Sequence, residues 1–129
     1  MKKGNTIFFK NIPRIVSFAA ICGSKEKEGV IGEFADITLE DDMYAESTYE
    51  KAECKMLTNA IALAIDKGGF KEKDIDVMLS GDLLNQIISA SFAARDYNFP
   101  FLGVYSACST MSESMMLSAM MVNAGYLYC

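Results

Sequence analysis

One turn and one missing residue type set the chemistry open to this chain. The turn is Gly103-Val-Tyr-Ser-Ala-Cys108-Ser-Thr110, and the missing residue is histidine. Phe101-Leu102 runs into the turn, and a Met- and Ala-rich stretch with helical spacing leaves it. That order predicts a buried strand, a tight turn, and a cysteine at or just before a helix start. Free backbone N–H groups and the helix dipole favour a thiolate there, and equally the carboxylate or phosphate of a ligand. A nucleophilic thiol also needs a base, and no imidazole is present to act as one. Two readings of Cys108 therefore stand together: a pocket thiol, or a small inert core residue.

Asp82 and Asn85 stand after an earlier strand as Cys108 stands after a later one. If the two strands are parallel, both turns lie at the carboxyl edge of a sheet, where α/β folds place their ligands. Asp82 reads equally well as a helix cap accepting an N–H of the next turn. Asn85 can donate as well as accept, which suits it better to an anionic ligand. Methionines at 111, 115, 116, 120 and 121 form a stripe that reads as core or subunit interface. Glu113 falls on the exposed side of that helix. Lys25 and Lys27 read as surface residues, with a ligand contact as the sharper alternative.

The elements that must hold these residues follow from periodicity. Ile7–Phe9 and Ile15–Cys22 read as short strands, Gly23–Gly29 as a charged loop, and Asp36–Glu46 as an acidic surface excursion. Ser47-Thr-Tyr-Glu50 has the form of a capping box, and the helix it opens runs to Lys67, where Gly68-Gly69 stops it. Ile75–Ser80 is the next strand, Leu84–Asp96 a helix, Phe101–Ser106 a strand and Ser109–Ala124 a helix. Strand and helix alternate over short loops, which predicts an α/β fold with a parallel sheet.

Composition narrows the function classes. A chain of 129 residues with 51% hydrophobic and 22% charged residues is one globular domain by the length prior. A net charge of −5 argues against nucleic acid as a partner. Cysteines at 22, 54, 108 and 129 have no CxxC spacing and no histidine beside them, so neither a metal nor another cofactor is expected. Their wide spacing reads as reduced cytosolic thiols. The apolar run Ile15–Cys22 imitates a signal peptide, but Lys10, Pro13 and Arg14 interrupt it. Met111–Tyr128 carries Glu113 and Asn123 and is a poor membrane span.

In chain order, Gly23-Ser-Lys-Glu-Lys-Glu-Gly29, Tyr49-Glu-Lys-Ala-Glu53, Asp74-Ile-Asp76, Ser80-Gly-Asp-Leu-Leu-Asn-Gln86, Phe99-Pro-Phe-Leu-Gly103 and Ala107-Cys-Ser-Thr110 resemble the N-terminal part of the stage V sporulation protein AD family. The resemblance implies a thiolase-like α/β fold of βαβαβα order, present here as part of an N-terminal half. A further strand is expected after the Cys108 helix, and Tyr126–Cys129 is too short for it. Residues 1–129 thus read as one incomplete domain, shortened by truncation, by frameshift or on purpose.

The resemblance also implies a non-enzymatic dipicolinic acid-binding component of the sporulation uptake machinery. It would be cytoplasmic and peripheral to the forespore inner membrane, beside the other subunits of the stage V A complex. The ligand-binding set it implies is Cys108, Ser109, Thr110, Asp82 and Asn85. A homodimer stays open, given the Met stripe. The alternative is a fragment of a thiolase or ketoacyl-synthase type acyltransferase with Cys108 as nucleophile.

Overall fold

The computed structural model describes residues 1–84 and 86–129. A small antiparallel hairpin opens the chain, β1 (Lys2–Lys3) with β2 (Thr6–Ile7), turned at Gly4 with φ +61°. The rest alternates strand and helix. β3 (Ile21–Cys22), α1 (Ser24–Glu28) and β4 (Ile37–Thr38) come first, then α2 (Tyr49–Lys67) and β5 (Met78–Ser80). They are followed by α3 (Ile88–Ala94), β6 (Phe101–Gly103) and α4 (Thr110–Ala124). The protein is α/β, with short parallel strand pairs flanked by helices.

Two strand pairs replace the single sheet expected. β3 pairs with β4 and β5 with β6, both parallel. β4 lies inside the stretch read from its acidic residues as a surface excursion. Ile37 and Thr38 pair there with Ile21 and Cys22, and Leu39 is buried behind them. The predicted strand Ile15–Cys22 shrinks to its last two residues. Upstream, Pro13 has no N–H to give, Ser17 donates its hydroxyl to the Ala64 carbonyl of α2 at 2.6 Å, and Ala20 N–H goes to the Asp36 carboxylate at 2.9 Å. The charged loop predicted at 23–29 instead forms the turn and a half of α1.

α2 begins one residue later than the capping box predicts. Thr48 is the cap and accepts the Lys51 N–H at 3.3 Å, so Ser47 and Glu50 do not form the reciprocal pair. Gly68 and then Gly69, at φ +71°, end the helix as expected. α2 packs on α3, whose buried face is small: Ser89, Ala90, Ala93 and Ala94 let the two helices approach closely. Met78, Ala94 and Phe99 form the centre of the core, with Leu57, Ile61 and Ile65 of α2 closing on it. Tyr97 stacks on Phe99 at 5.0 Å and donates its hydroxyl to the Thr58 carbonyl at 2.9 Å.

The molecule exposes more surface than its mass calls for. Its accessible area is 8918 Å², against roughly 6,800 Å² for a compact monomer of 14.2 kDa. Exposed apolar side chains are spread over the molecule, and among them are Ile12, Ile15, Val16 and Phe18 ahead of β3 and Met111, Met115 and Met116 on α4. No helix among the described residues is long and apolar enough to cross a membrane.

Candidate functional site

β5 and β6 are parallel and in register from Met78↔Phe101 to Ser80↔Gly103, so the turns that follow them emerge on the same edge. Val104 N–H extends the ladder by donating to the Ser80 carbonyl at 2.9 Å. Gly81 lies in the angle between these strands. A Cβ there would stand 2.1 Å from the Val104 carbonyl oxygen and 2.9 Å from the Thr110 methyl, so only glycine lets β5, β6 and α4 meet this closely. The Thr110 methyl is thereby packed against the strand end. An open cleft of about 410 Å³ results, and Asp82, Cys108, Thr110, Ser114 and Met115 line it.

Cys108 sits in a single 3-10 turn, Ala107–Ser109, directly ahead of α4. The residue before it, Ala107, has φ +45°, a left-handed conformation that costs a non-glycine residue roughly 1–2 kcal/mol. This bend carries the thiol outward, and Cys108 is exposed. The other three cysteines are half-buried, and burial pushes the thiols of Cys54 and Cys129 up from their ordinary value.

The polar groups expected to hold a ligand here are differently engaged. Ser109 N–H donates to the Ser106 carbonyl at 3.0 Å and Thr110 N–H to the Ala107 carbonyl. The 3-10 turn therefore consumes the two amides expected to meet a carboxylate. Ser109 is absent from the cleft wall, and its hydroxyl pairs with Ser106. Thr110 lines the cleft, and its side-chain oxygen is buried with no partner among the described residues. One helical turn on, Ser114 lines the same cleft, and its hydroxyl is buried with no partner among the described residues. Ser114 was not among the residues singled out from the sequence. Its i, i+4 spacing from Thr110, which puts both hydroxyls on one helix face, is the signal that could have found it.

Asp82 borders the cleft, but its carboxylate is occupied. One oxygen accepts Ile87 N–H and the other Ala90 N–H, both at 2.8 Å. It thus does the work of a cap for α3 from several residues upstream. It also anchors a loop in which Gln86 and Ile87 have φ of 56° and 75°. This loop delays the helix from the predicted Leu84 to Ile88. Asn85 lies outside the described residues. Lys27 is ion-paired with Glu40. Lys25 stands exposed on α1 and is not part of the cleft wall. None of the cleft-lining residues is cationic.

These features, a glycine-tight strand end, an outward cysteine and two unsatisfied hydroxyls, belong to a sequence that the family model for Stage V sporulation protein AD matches over residues 3–128. The chain belongs to the stage V sporulation protein AD family. Stage V sporulation protein AD of Bacillus subtilis (strain 168) is 34% identical over 110 residues, an alignment that takes in 85% of this chain. The same alignment takes in 32% of the relative, so the chain spans about a third of its length. Within the stage V sporulation protein AD family match fall both strand ends and all of α4, hence every cleft residue named above.

Proposed function

We propose that this chain serves sporulation as a non-catalytic, ligand-binding module of thiolase-like fold, and that its ligand is dipicolinic acid. Family membership supports the sporulation role. The observation that carries the binding reading is the pair of buried, unpartnered hydroxyls at Thr110 and Ser114 beside the exposed Cys108. Unsatisfied buried donors cost free energy until an acceptor arrives, and a carboxylate or pyridine nitrogen is such an acceptor. Cys108 and Met115 offer soft surface for the ring. Asp82 acts indirectly, holding the loop that borders the cleft, and Asn85 completes the proposed set. Ser109 shapes the turn rather than touching ligand.

A dianion needs cations, and the cleft wall has none. The proposal therefore places the missing charge elsewhere in the longer family members, and expects weak binding by this chain alone. Calorimetry with dipicolinate on a full-length relative having the same Ala-Cys-Ser-Thr turn tests it. Changes equivalent to Thr110→Val and Ser114→Ala should each weaken binding about fivefold, the worth of one hydrogen bond. Unchanged affinity in both would place the ligand elsewhere. The proposed setting is the cytoplasmic face of the forespore inner membrane, beside the other subunits of the stage V A complex.

The outward cysteine behind a strained Ala107 favours a second reading, acyl transfer by Cys108. Incubation with a short acyl thioester followed by intact mass measurement separates the two. An acyl adduct on Cys108 supports transfer, and an unmodified chain supports binding alone.

A further inference from the structure

The cleft at Cys108 does not close at its far end. Leu79, Ser114 and Met115 also belong to a second hollow of about 500 Å³, which runs on along α4 away from the turn. Pro13 and Ile15 line it together with Ala119 and Val122 of α4. This surface is apolar and open to water, with Ile15 71% and Met115 47% exposed. Its volume falls in the range of small-molecule pockets.

Three polar residues, Arg14, Ser114 and Ser118, interrupt the apolar wall. The Ser114 hydroxyl is buried without a partner where the two hollows join. Arg14 also lines the hollow, between Pro13 and Ile15. The ion pairs among the described residues use Lys27, Lys55, Lys67 and Arg95, and none uses Arg14. A guanidinium without an ion-pair partner among the described residues, on the wall of an apolar hollow, matches a ligand with one anionic end and an apolar body, because its planar fork receives a carboxylate through two parallel bonds. A compact dianion would find a cationic partner for only one of its carboxylates here, which disfavours dipicolinate.

We propose that this second hollow binds an apolar monocarboxylate of the medium-chain fatty acid class. Its carboxylate lies on Arg14, and its chain runs past Ala119 and Val122 toward Met115. The proposal does not require the reading of the Cys108 cleft, since Arg14, Ala119 and Val122 do not line that cleft, though Leu79, Ser114 and Met115 border both.

Titration calorimetry of decanoate into the intact chain tests it, with decanol as the neutral probe and Arg14→Gln and Ala119→Phe as variants. Saturable one-to-one binding of decanoate is expected, with at least a tenfold loss in Arg14→Gln and far weaker binding of decanol. Ala119→Phe should abolish binding by filling the hollow. If that variant does not fold, the exposed Arg14→Gln change and the alcohol still decide. No saturable binding, or equal binding by Arg14→Gln and the parent chain, would overturn the proposal. So would displacement of decanoate by dipicolinate together with its loss in Cys108→Ala, which would put the acid in the first cleft. Failure of dipicolinate to bind the full-length relative, while decanoate binds this chain, would sink the other reading and leave this one standing.

Discussion

Cysteine reactivity is decided here by exposure and by burial, residue by residue. Cys108 projects from its turn, whereas Cys54 and Cys129 are half-buried with their thiols pushed up by that burial and by nearby carboxylates. Less thiolate at neutral pH means slower alkylation, since the thiolate is the nucleophile. Limiting iodoacetamide on the native chain should therefore label Cys108 first, as read by peptide mass spectrometry. Cys22 or Cys54 labelling ahead of it would mean that the Ala107 bend does not hold the thiol outward in solution. The position of this cysteine, between a strand and a Met-rich helix, was legible in the sequence. Its working partners were not. Sequence spacing pointed to the amides of Ser109 and Thr110, but a 3-10 turn is too tight to leave them free. The hydroxyls of Thr110 and Ser114 are the groups proposed to take their place at the cleft.

At the scale of elements, hydrophobic pattern reported what needs burial, not what is buried. Ile15, Val16 and Phe18 read as strand, yet they stand 71%, 65% and 70% exposed in extended chain without a ladder. β4 was hidden for the opposite reason, two residues of strand inside an acidic run. α2 and α4 were legible because each is a long apolar-rich run of helix formers ended by glycine.

One junction between elements has a pH dependence that can be worked out. The Asp76 carboxylate accepts Tyr128 N–H at 2.6 Å and Cys129 N–H at 3.1 Å, and Asp76 N–H donates to the Cys129 carbonyl at 2.8 Å. The two tail amides hold its pKa below the ordinary 3.8. A lowered carboxylate pKa stabilises the folded form fully above the ordinary value, and that help is lost as pH falls through the lowered one. The tail at 126–129 should thus stay docked at neutral pH and detach in acid below pH 3.8. The Tyr128 amide shift, followed by NMR, should titrate in that window in the parent chain and be flat and undocked in Asp76→Asn. A docked tail in the variant would sink the idea.

For the whole molecule, the surface excess predicts association. Apolar side chains along residues 12–18 and on α4 make neighbouring patches, and patches of that kind draw partners or one another. The unpaired extended segment adds a bare backbone edge to the same region. The isolated chain should scatter light as species larger than 14.2 kDa and bind an apolar dye before any denaturation. A monodisperse monomer with a sharp cooperative melt and no dye signal would count against this.

Asn123 near the end of α4 has a consequence for how the chain is made. Its side-chain oxygen accepts Lys10 N–H at 2.8 Å and Asn11 N–H at 3.2 Å, and its carbonyl accepts the Asn11 side-chain amide at 3.2 Å. The first of these joins residues 113 apart in sequence. On a ribosome, the N-terminal segment therefore emerges long before its anchor exists, by on the order of ten seconds at usual elongation rates. During that interval Ile12, Ile15 and Phe18 hang from a nascent chain with nothing to fasten them. Translation speed and holdase chaperones, rather than the final stability, then govern how much of this protein escapes early capture by its neighbours.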